Sequence, residues 1–135
     1  MLSFEDASNC YARGHFACSK VIRERSLLNL RRSIEQIDIL NTIQTFAGLS
    51  GGTGSGFNSS LFIALRDIYP NVSFDLHAIF PSPQKQDTVT EPYNAILASA
   101  GFSEIFAIQY IYDNEGLEAC ISQCRDKSES NSKSL

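Results

Sequence analysis

Several features of membrane proteins and common enzymes are missing from this sequence of 135 residues. It has no run of about 18 apolar residues, which excludes a membrane-spanning helix of the usual kind. It has no positively charged segment near its start, so no secretory signal peptide is predicted and we expect a cytoplasmic protein. His15 and His77 lie far apart, and neither is paired with a nucleophile. The net charge of −4 gives no indication of nucleic-acid binding.

The cysteines lack the spacing of a metal site. Cys10 and Cys18, and then Cys120 and Cys124, are separated by more residues than the C-x2-C pairs of zinc sites. Cys120 and Cys124 are four residues apart on a predicted helix, and we expect them to pack as small buried hydrophobic side chains. A reducing compartment disfavours a disulfide. The sequence therefore predicts no metal ligands of its own.

A glycine-rich segment is the most informative feature that is present. Residues 50–56 read SGGTGSG and separate an apolar run from an amphipathic one. A glycine loop that opens a helix presents backbone N–H groups and a positive helix end to an anion. We therefore predict a phosphate-binding loop, with a flexible Gly/Ser linker as the alternative.

The loop differs from the common nucleotide motifs. It has neither the lysine of the P-loop pattern nor the spacing of the dinucleotide fingerprint. Bound phosphates would then be held by backbone groups, the helix dipole and the hydroxyls of Thr53 and Ser55. A metal ion would have to balance much of the phosphate charge.

Hydrophobic periodicity predicts alternating strands and helices, and hence an α/β fold with a Rossmann-like parallel sheet and flanking helices. Residues 1–127 form one domain in this prediction, and the low-complexity residues 128–135 form a polar tail. Leu61, Leu65 and Ile68 are expected on one helix face, and Asp113 is a candidate N-cap. The predicted strands are 42–49 (buried), 72–80 and 105–111, and the predicted helices are 16–40, 57–69, one starting at Glu91 and one following Asp113.

The loops after the three predicted strands should open on one edge of the sheet, where ligands of such folds bind. These loops are 49–56, 81–91 and 112–114. The first is rich in glycine, and the others carry side chains that can hydrogen-bond a ribose and a base, namely Asp87, Glu91, Asp113 and Asn114. Their convergence predicts a nucleotide site.

Four segments also resemble tubulin. Residues 5–16 resemble the alpha-type sequence EDAANNYARGHY, and residues 51–57 match GGTGSGF. Residues 80–95 resemble the beta-type sequence PSPxxxDTVVEPYNA, and residues 113–117 resemble DNEAL. On these motifs the chain is identified as a member of the tubulin family over about residues 5–127, as the central part of its GTPase domain. The mixed alpha-like and beta-like features suggest a divergent isotype, such as the zeta kind.

The resemblance implies GTP as cofactor, with Mg²⁺ bound alongside it by ligands outside this chain. It implies that the turn at Ala7, Ser8 and Asn9 approaches the terminal phosphates, although a plain scaffold role is the alternative for Ala7, Ser8 and the nearby Tyr11. Asp87 and Glu91 would lie at the ribose, and Asn114 would hydrogen-bond the guanine. The implied phosphate loop consists of Gly51, Gly52, Thr53, Gly54, Ser55 and Gly56.

The sequence also departs from the family pattern. Ser50 replaces the first glycine of a triplet, and Gly48 replaces a serine. Three parts of the family pattern have no counterpart in this sequence, namely its first glycine-rich loop, its magnesium-organising acid and the half that bears the catalytic acid. We therefore expect an incomplete domain that cannot hydrolyse GTP alone, and we assign no catalytic residue.

The implied role is that of a structural constituent of microtubules or related filaments in the cytoplasm and cytoskeleton. Its implied partners are GTP or GDP and other tubulin subunits, in a heterodimer and a filament, with no nucleic acid and no membrane. The first alternative is a truncated, non-binding fragment that associates with tubulin or chaperones. The second is a small phosphate-binding enzyme of independent fold. The sequence disfavours this alternative, because it lacks a set of residues that could act as acid, base or nucleophile.

Overall fold

A computed structural model describes residues 7–17, 19–82 and 87–132 of the protein. Strands and helices alternate along the chain from β1 onward, as the periodicity predicts. Two short π-helical turns, Arg13–Ala17 and Thr53–Phe57, precede α1 and α2. The regular elements are α1 (Ser19–Ile34), β1 (Thr42–Gly48), α2 (Asn58–Ile68), β2 (Ser73–Phe80), α3 (Glu91–Ile105), β3 (Ile108–Asp113) and α4 (Asn114–Ser132).

The three strands form one parallel sheet in the order β1-β2-β3. Ala47 of β1 pairs with Ala78 of β2, which pairs in turn with Ile111 of β3. Each connection between strands contains a helix, because parallel neighbours require a long crossover. The predicted α/β class with a Rossmann-like parallel sheet is confirmed.

The hydrophobic core lies between one face of the sheet and helices α2 and α3. Alternate residues of a strand point to the same face, and this period places Phe74, Leu76 and Ala78 of β2 in the core. A ring contact joins the helix layer to the sheet, with the Phe62 and Phe74 centroids 5.7 Å apart, and Phe102 packs on Phe106 at the end of α3 with centroids 5.2 Å apart. Leu65, Ala95 and Ala98 fill the remaining space.

The opposite face of the sheet carries a row of stacked rings. Phe46, His77 and Tyr110 come from three adjacent strands, with successive centroids 4.5 and 4.6 Å apart. Tyr112 Oη lies within hydrogen-bond distance of His77 Nδ1, at 2.9 Å. Phe46 is 74% exposed. The prediction that residues 42–49 form a buried strand is therefore wrong for this face, because none of the described helices covers it.

Several element boundaries also differ from the sequence prediction. α1 ends at Ile34 rather than at residue 40. β3 begins at Ile108, because Ile105 is still the buried last residue of α3. On α2, Phe62 and Leu65 are buried whereas Ile68 is exposed, so the buried face is rotated from the predicted one.

Helix α4 lies at the β3 edge and is poorly covered. Its described side chains from Gly116 to Arg125 are all exposed. The prediction that Cys120 and Cys124 are buried is wrong, because none of the described elements covers that face of the helix. Cys18 lies outside the described residues. The backbone stays helical to Ser132, within the predicted polar tail of 128–135, and the division at residue 127 stays a prediction.

In the part of the chain that the structure describes, no helix combines the length and apolarity needed to cross a membrane.

Truncation of the core should be far more destabilising than the same truncation on the ring-bearing face. Phe102→Ala removes a fully buried ring and should lower the free energy of unfolding by about 3–5 kcal/mol. Phe46→Ala is the matched control, and it should change stability by less than about 1 kcal/mol because that ring is mostly in water. Urea denaturation followed by circular dichroism measures both, and equal losses would contradict this division of the sheet.

Candidate functional site

A pocket of about 270 Å³ lies at the carboxyl ends of all three strands. Its position is the one predicted from the parallel order of the strands. It is bounded by the end of β1, the end of β2 with the loop that follows, and the start of α4. The lining residues are Gly48, Ser50, Ile79, Phe80, Pro81, Ser82, Asp87, Glu91, Asn114, Glu115 and Glu118.

The described part of the pocket lining is acidic. It contains Asp87, Glu91, Glu115 and Glu118, and no lysine or arginine. Carboxylates accept hydrogen bonds, so this surface suits ligand hydroxyl and N–H groups and repels an unshielded phosphate. The described residues hold no group of three or more side chains placed to bind a metal ion.

The start of α4 is fixed by two side-chain contacts. The Glu115 N–H donates to Asp113 Oδ1 at 3.3 Å, which confirms Asp113 as the N-cap. The Ser82 hydroxyl donates to Glu115 Oε1 and so joins the loop after β2 to α4. These contacts hold Asn114 at the pocket wall.

The glycine-rich segment begins a helix, as predicted from the sequence. Its π-helical turn runs directly into α2, with the Asn58 N–H donating to the carbonyls of Ser55 and Thr53. Ser55 is fully buried, and its hydroxyl donates to the Gly51 carbonyl at 2.6 Å. The Ser55 hydroxyl therefore stabilises the conformation of the loop, whereas the Thr53 side chain is exposed to solvent.

Most glycines of this loop face protein backbone and not open space. A Cβ on Gly52 would lie 2.6 Å from the Cys10 carbonyl oxygen and 2.7 Å from its nitrogen. Cβ atoms on Gly54 and Gly56 would overlap the carbonyl oxygens of Gly48 and Tyr11. Gly51 differs, because its Cβ would meet only Asn9 Oδ1, at 3.8 Å. Gly51 is thus the glycine beside the open side of the loop.

The turn at residues 7–9 packs against this loop. Ala7 is buried, and its carbonyl accepts a hydrogen bond of 3.0 Å from the Cys10 N–H. Ser8 and Asn9 have φ angles of 46° and 50°, a left-handed conformation that is uncommon outside glycine. Such conformations persist where surrounding contacts hold them, and they cluster at functional sites.

Asn94 joins the two loops, and sequence reasoning did not single it out. Its Nδ2 donates to the carbonyls of Asn9 and Ser50, each at 2.8 Å, and its Oδ1 accepts from the Tyr11 N–H at 2.9 Å. The available signal was an asparagine inside a predicted helix, where this residue type is unfavourable unless its side chain has a partner.

Comparisons with known proteins show the family of this chain. The family model described as Tubulin/FtsZ family, GTPase domain, matches residues 1–122. The chain belongs to the Tubulin/FtsZ family.

Curated tubulins of both main types match this tubulin-family chain. It is 38% identical over 113 residues to the tubulin alpha-1B chain of Physarum polycephalum, covering 84% of this chain and 25% of that one. It is 37% identical to the tubulin alpha chain of Dictyostelium discoideum, with coverage of 84% and 25%. It is 35% identical to beta-Tubulin at 65B of Drosophila melanogaster, with coverage of 84% and 24%. The chain spans about a quarter of the length of these relatives.

The structure places the predicted site residues in two adjoining groups. The turn of Ala7, Ser8 and Asn9 lies against Gly51 and Gly52. Asp87, Glu91 and Asn114 line the pocket. Ser50 links the groups, because it lines the pocket and its carbonyl is bound by Asn94. Of the remaining predicted residues, Thr53 is exposed, Ser55 is buried, and Gly54 and Gly56 contact protein backbone.

The two leading glycines should respond differently to the same substitution. Gly52→Ala should destabilise the fold strongly, because its Cβ would lie within 3.0 Å of Cys10 backbone atoms. Gly51→Ala has free space and no positive φ, so it should leave stability unchanged or raise it by about 0.4–1 kcal/mol. Thermal unfolding of both variants tests this difference, and similar transition temperatures would show that the loop does not pack on Cys10.

Proposed function

We propose that this chain forms part of the guanine-nucleotide site of a tubulin-type cytoskeletal protein. The observation that carries the proposal is the convergence of three parts at one sheet edge. These are a glycine loop that starts a helix, the left-handed turn at residues 7–9, and a pocket lined by Asn114. The match to the GTPase domain of the Tubulin/FtsZ family supports a guanine nucleotide as the ligand.

Each part has a chemical role in the proposal. The phosphate chain lies along the loop of Gly51, Gly52, Thr53, Gly54, Ser55 and Gly56, where backbone N–H groups and the helix start favour an anion. The turn of Ala7, Ser8 and Asn9 closes the far side of the phosphates. Asp87 and Glu91 accept hydrogen bonds from the ribose hydroxyls. The Asn114 amide pairs with the guanine, which offers both donors and an acceptor.

The size of the pocket is consistent with separate places for the nucleoside and the phosphates. Its volume of about 270 Å³ is just below the range of about 300–1,000 Å³ that is usual for a small-molecule site. We infer that it holds the nucleoside and that the phosphates extend along the glycine loop, outside the pocket.

Charge balance requires a cation with the nucleotide. The four carboxylates of the lining would repel a bare triphosphate. Mg²⁺ coordinated by the phosphate oxygens would neutralise part of that charge. The described residues gather no cluster of metal-ligating side chains that would complete its coordination.

The wider role follows from the relatives named above. We propose GTP or GDP as ligand, other tubulin subunits as partners in a heterodimer or filament, and the cytoplasm and cytoskeleton as location. No residue of this chain is proposed as a catalytic group for hydrolysis.

The base selectivity of the site provides a direct test. The wild-type chain should bind Mg·GTP more tightly than Mg·ATP in isothermal titration. Asn114→Ala should weaken GTP binding by about 10–30-fold, since two neutral hydrogen bonds contribute about 1 kcal/mol each, and it should leave ATP binding unchanged.

Asn71→Ala, in an exposed turn remote from the pocket, is the control and should bind GTP like the wild type. Equal wild-type affinities for GTP and ATP, or an equal loss of both in Asn114→Ala, would contradict the assignment of the guanine contact.

A further inference from the structure

We propose that Asn94 is a positioning residue for the phosphate chain. In this inference its side-chain amide sets the spacing between the glycine loop and the turn at residues 7–9, and so determines phosphate affinity without touching the nucleotide. The inference rests on the proposed function, because it names what organises that same site.

The hydrogen bonds of Asn94 connect parts of the chain that are remote in sequence. Its partners are Asn9, Tyr11 and Ser50, which lie 85, 83 and 44 positions away. The side chain is only 3% exposed. Two of the partners are carbonyl oxygens and the third is an N–H, so only one orientation of the amide satisfies all three. An aspartate of the same shape would place an oxygen against both carbonyls.

Asn94 lies in the first turn of α3, beside the nucleoside pocket but outside its lining. Glu91 begins the same helix and lines the pocket, whereas Asn94 is absent from its lining. The first turn of α3 is therefore attached to both phosphate-side loops through one amide group. Asn94 acts through Ser50 and Asn9, which makes it a positioning residue.

The left-handed turn shows why this link should affect ligand binding. Ser8 and Asn9 hold φ angles of 46° and 50°, and the Asn9 carbonyl is one of the groups that Asn94 binds. Strained backbone persists only while its surroundings determine it. Without the amide, the turn is free to relax away from the glycine loop, and the groups that face the phosphates lose their alignment.

The inference predicts a loss that grows with the number of phosphates. In the wild-type chain, affinity should rise from guanosine through GMP and GDP to GTP, measured by isothermal titration with Mg²⁺. Asn94→Ser keeps a small polar side chain and should bind GTP about 10–100-fold more weakly. Its affinity for guanosine should stay within about twofold of the wild type, because the side-chain hydrogen bonds of Asn94 go to Asn9, Tyr11 and Ser50 and not to the residues assigned to the ribose and the base. Asn94→Asp should lose at least as much for GTP.

Asn71→Ser is the matched control, and urea denaturation establishes that each titrated variant is folded. Equal losses for guanosine and GTP would show that Asn94 is merely structural, and unchanged GTP binding in Asn94→Ser would also overturn the inference. A wild-type chain that binds no guanine nucleotide would overturn the proposed function, and the inference with it. The two failures are thus distinguishable.

A measurement on the wild type covers the case in which the variants do not fold. The Asn94 Nδ2 hydrogens should exchange slowly with solvent in NMR spectra, since both are bonded and buried. Their signals should shift on addition of magnesium tripolyphosphate and stay in place on addition of guanosine. Rapid exchange, or a shift with guanosine alone, would count against the proposal.

Discussion

Direct packing of one backbone segment on another is the constraint on which the site depends. Gly52 lies against the Cys10 backbone, Gly14 faces the Gly52 carbonyl, and Gly56 faces the Tyr11 carbonyl. A side chain at any of these glycines would separate the segments. Because the contact is made mostly by main-chain atoms, it holds the start of the helix closer to the turn at residues 7–9 than interdigitated side chains would. Asn94 then connects the paired segments to α3.

The sheet divides the remaining structure into two environments. On one face, Phe74 of the sheet packs with Phe62 and Phe102 of the helices in the hydrophobic core. On the other face, polar and aromatic side chains form the surface, and the rings of Phe46, His77 and Tyr110 stack on one another. The site lies at the carboxyl ends of the strands. The positions of its loops therefore depend on a sheet that the hydrophobic core supports from one side only.

The order of elements and the location of the site could be predicted because they follow from local patterns. Alternation from Val72 to Phe80 indicates a strand, and a parallel arrangement brings the loops after three strands to one edge. The exposure of Phe46 and Cys120 could not be predicted in the same way, since burial depends on which neighbours cover a surface. Asn94 was missed for a related reason, because its partners lie more than forty positions away. The glycines were found, but their contact with Cys10 and Tyr11 is invisible in a one-dimensional pattern.

The π-helical turn at Thr53–Phe57 has a consequence for how this chain tolerates changes in length. A π-helical turn contains one residue more than the α-helical turn that would span the same length of helix. Deleting one residue there would close the turn to ordinary helical geometry and leave α2 in phase, with Phe62 and Leu65 still in the core. The turn itself holds the buried Ser55 and the glycines at 54 and 56 that contact backbone. A one-residue deletion at this point should therefore disturb the loop and spare the core, and it should be tolerated less than a substitution of the exposed Thr53.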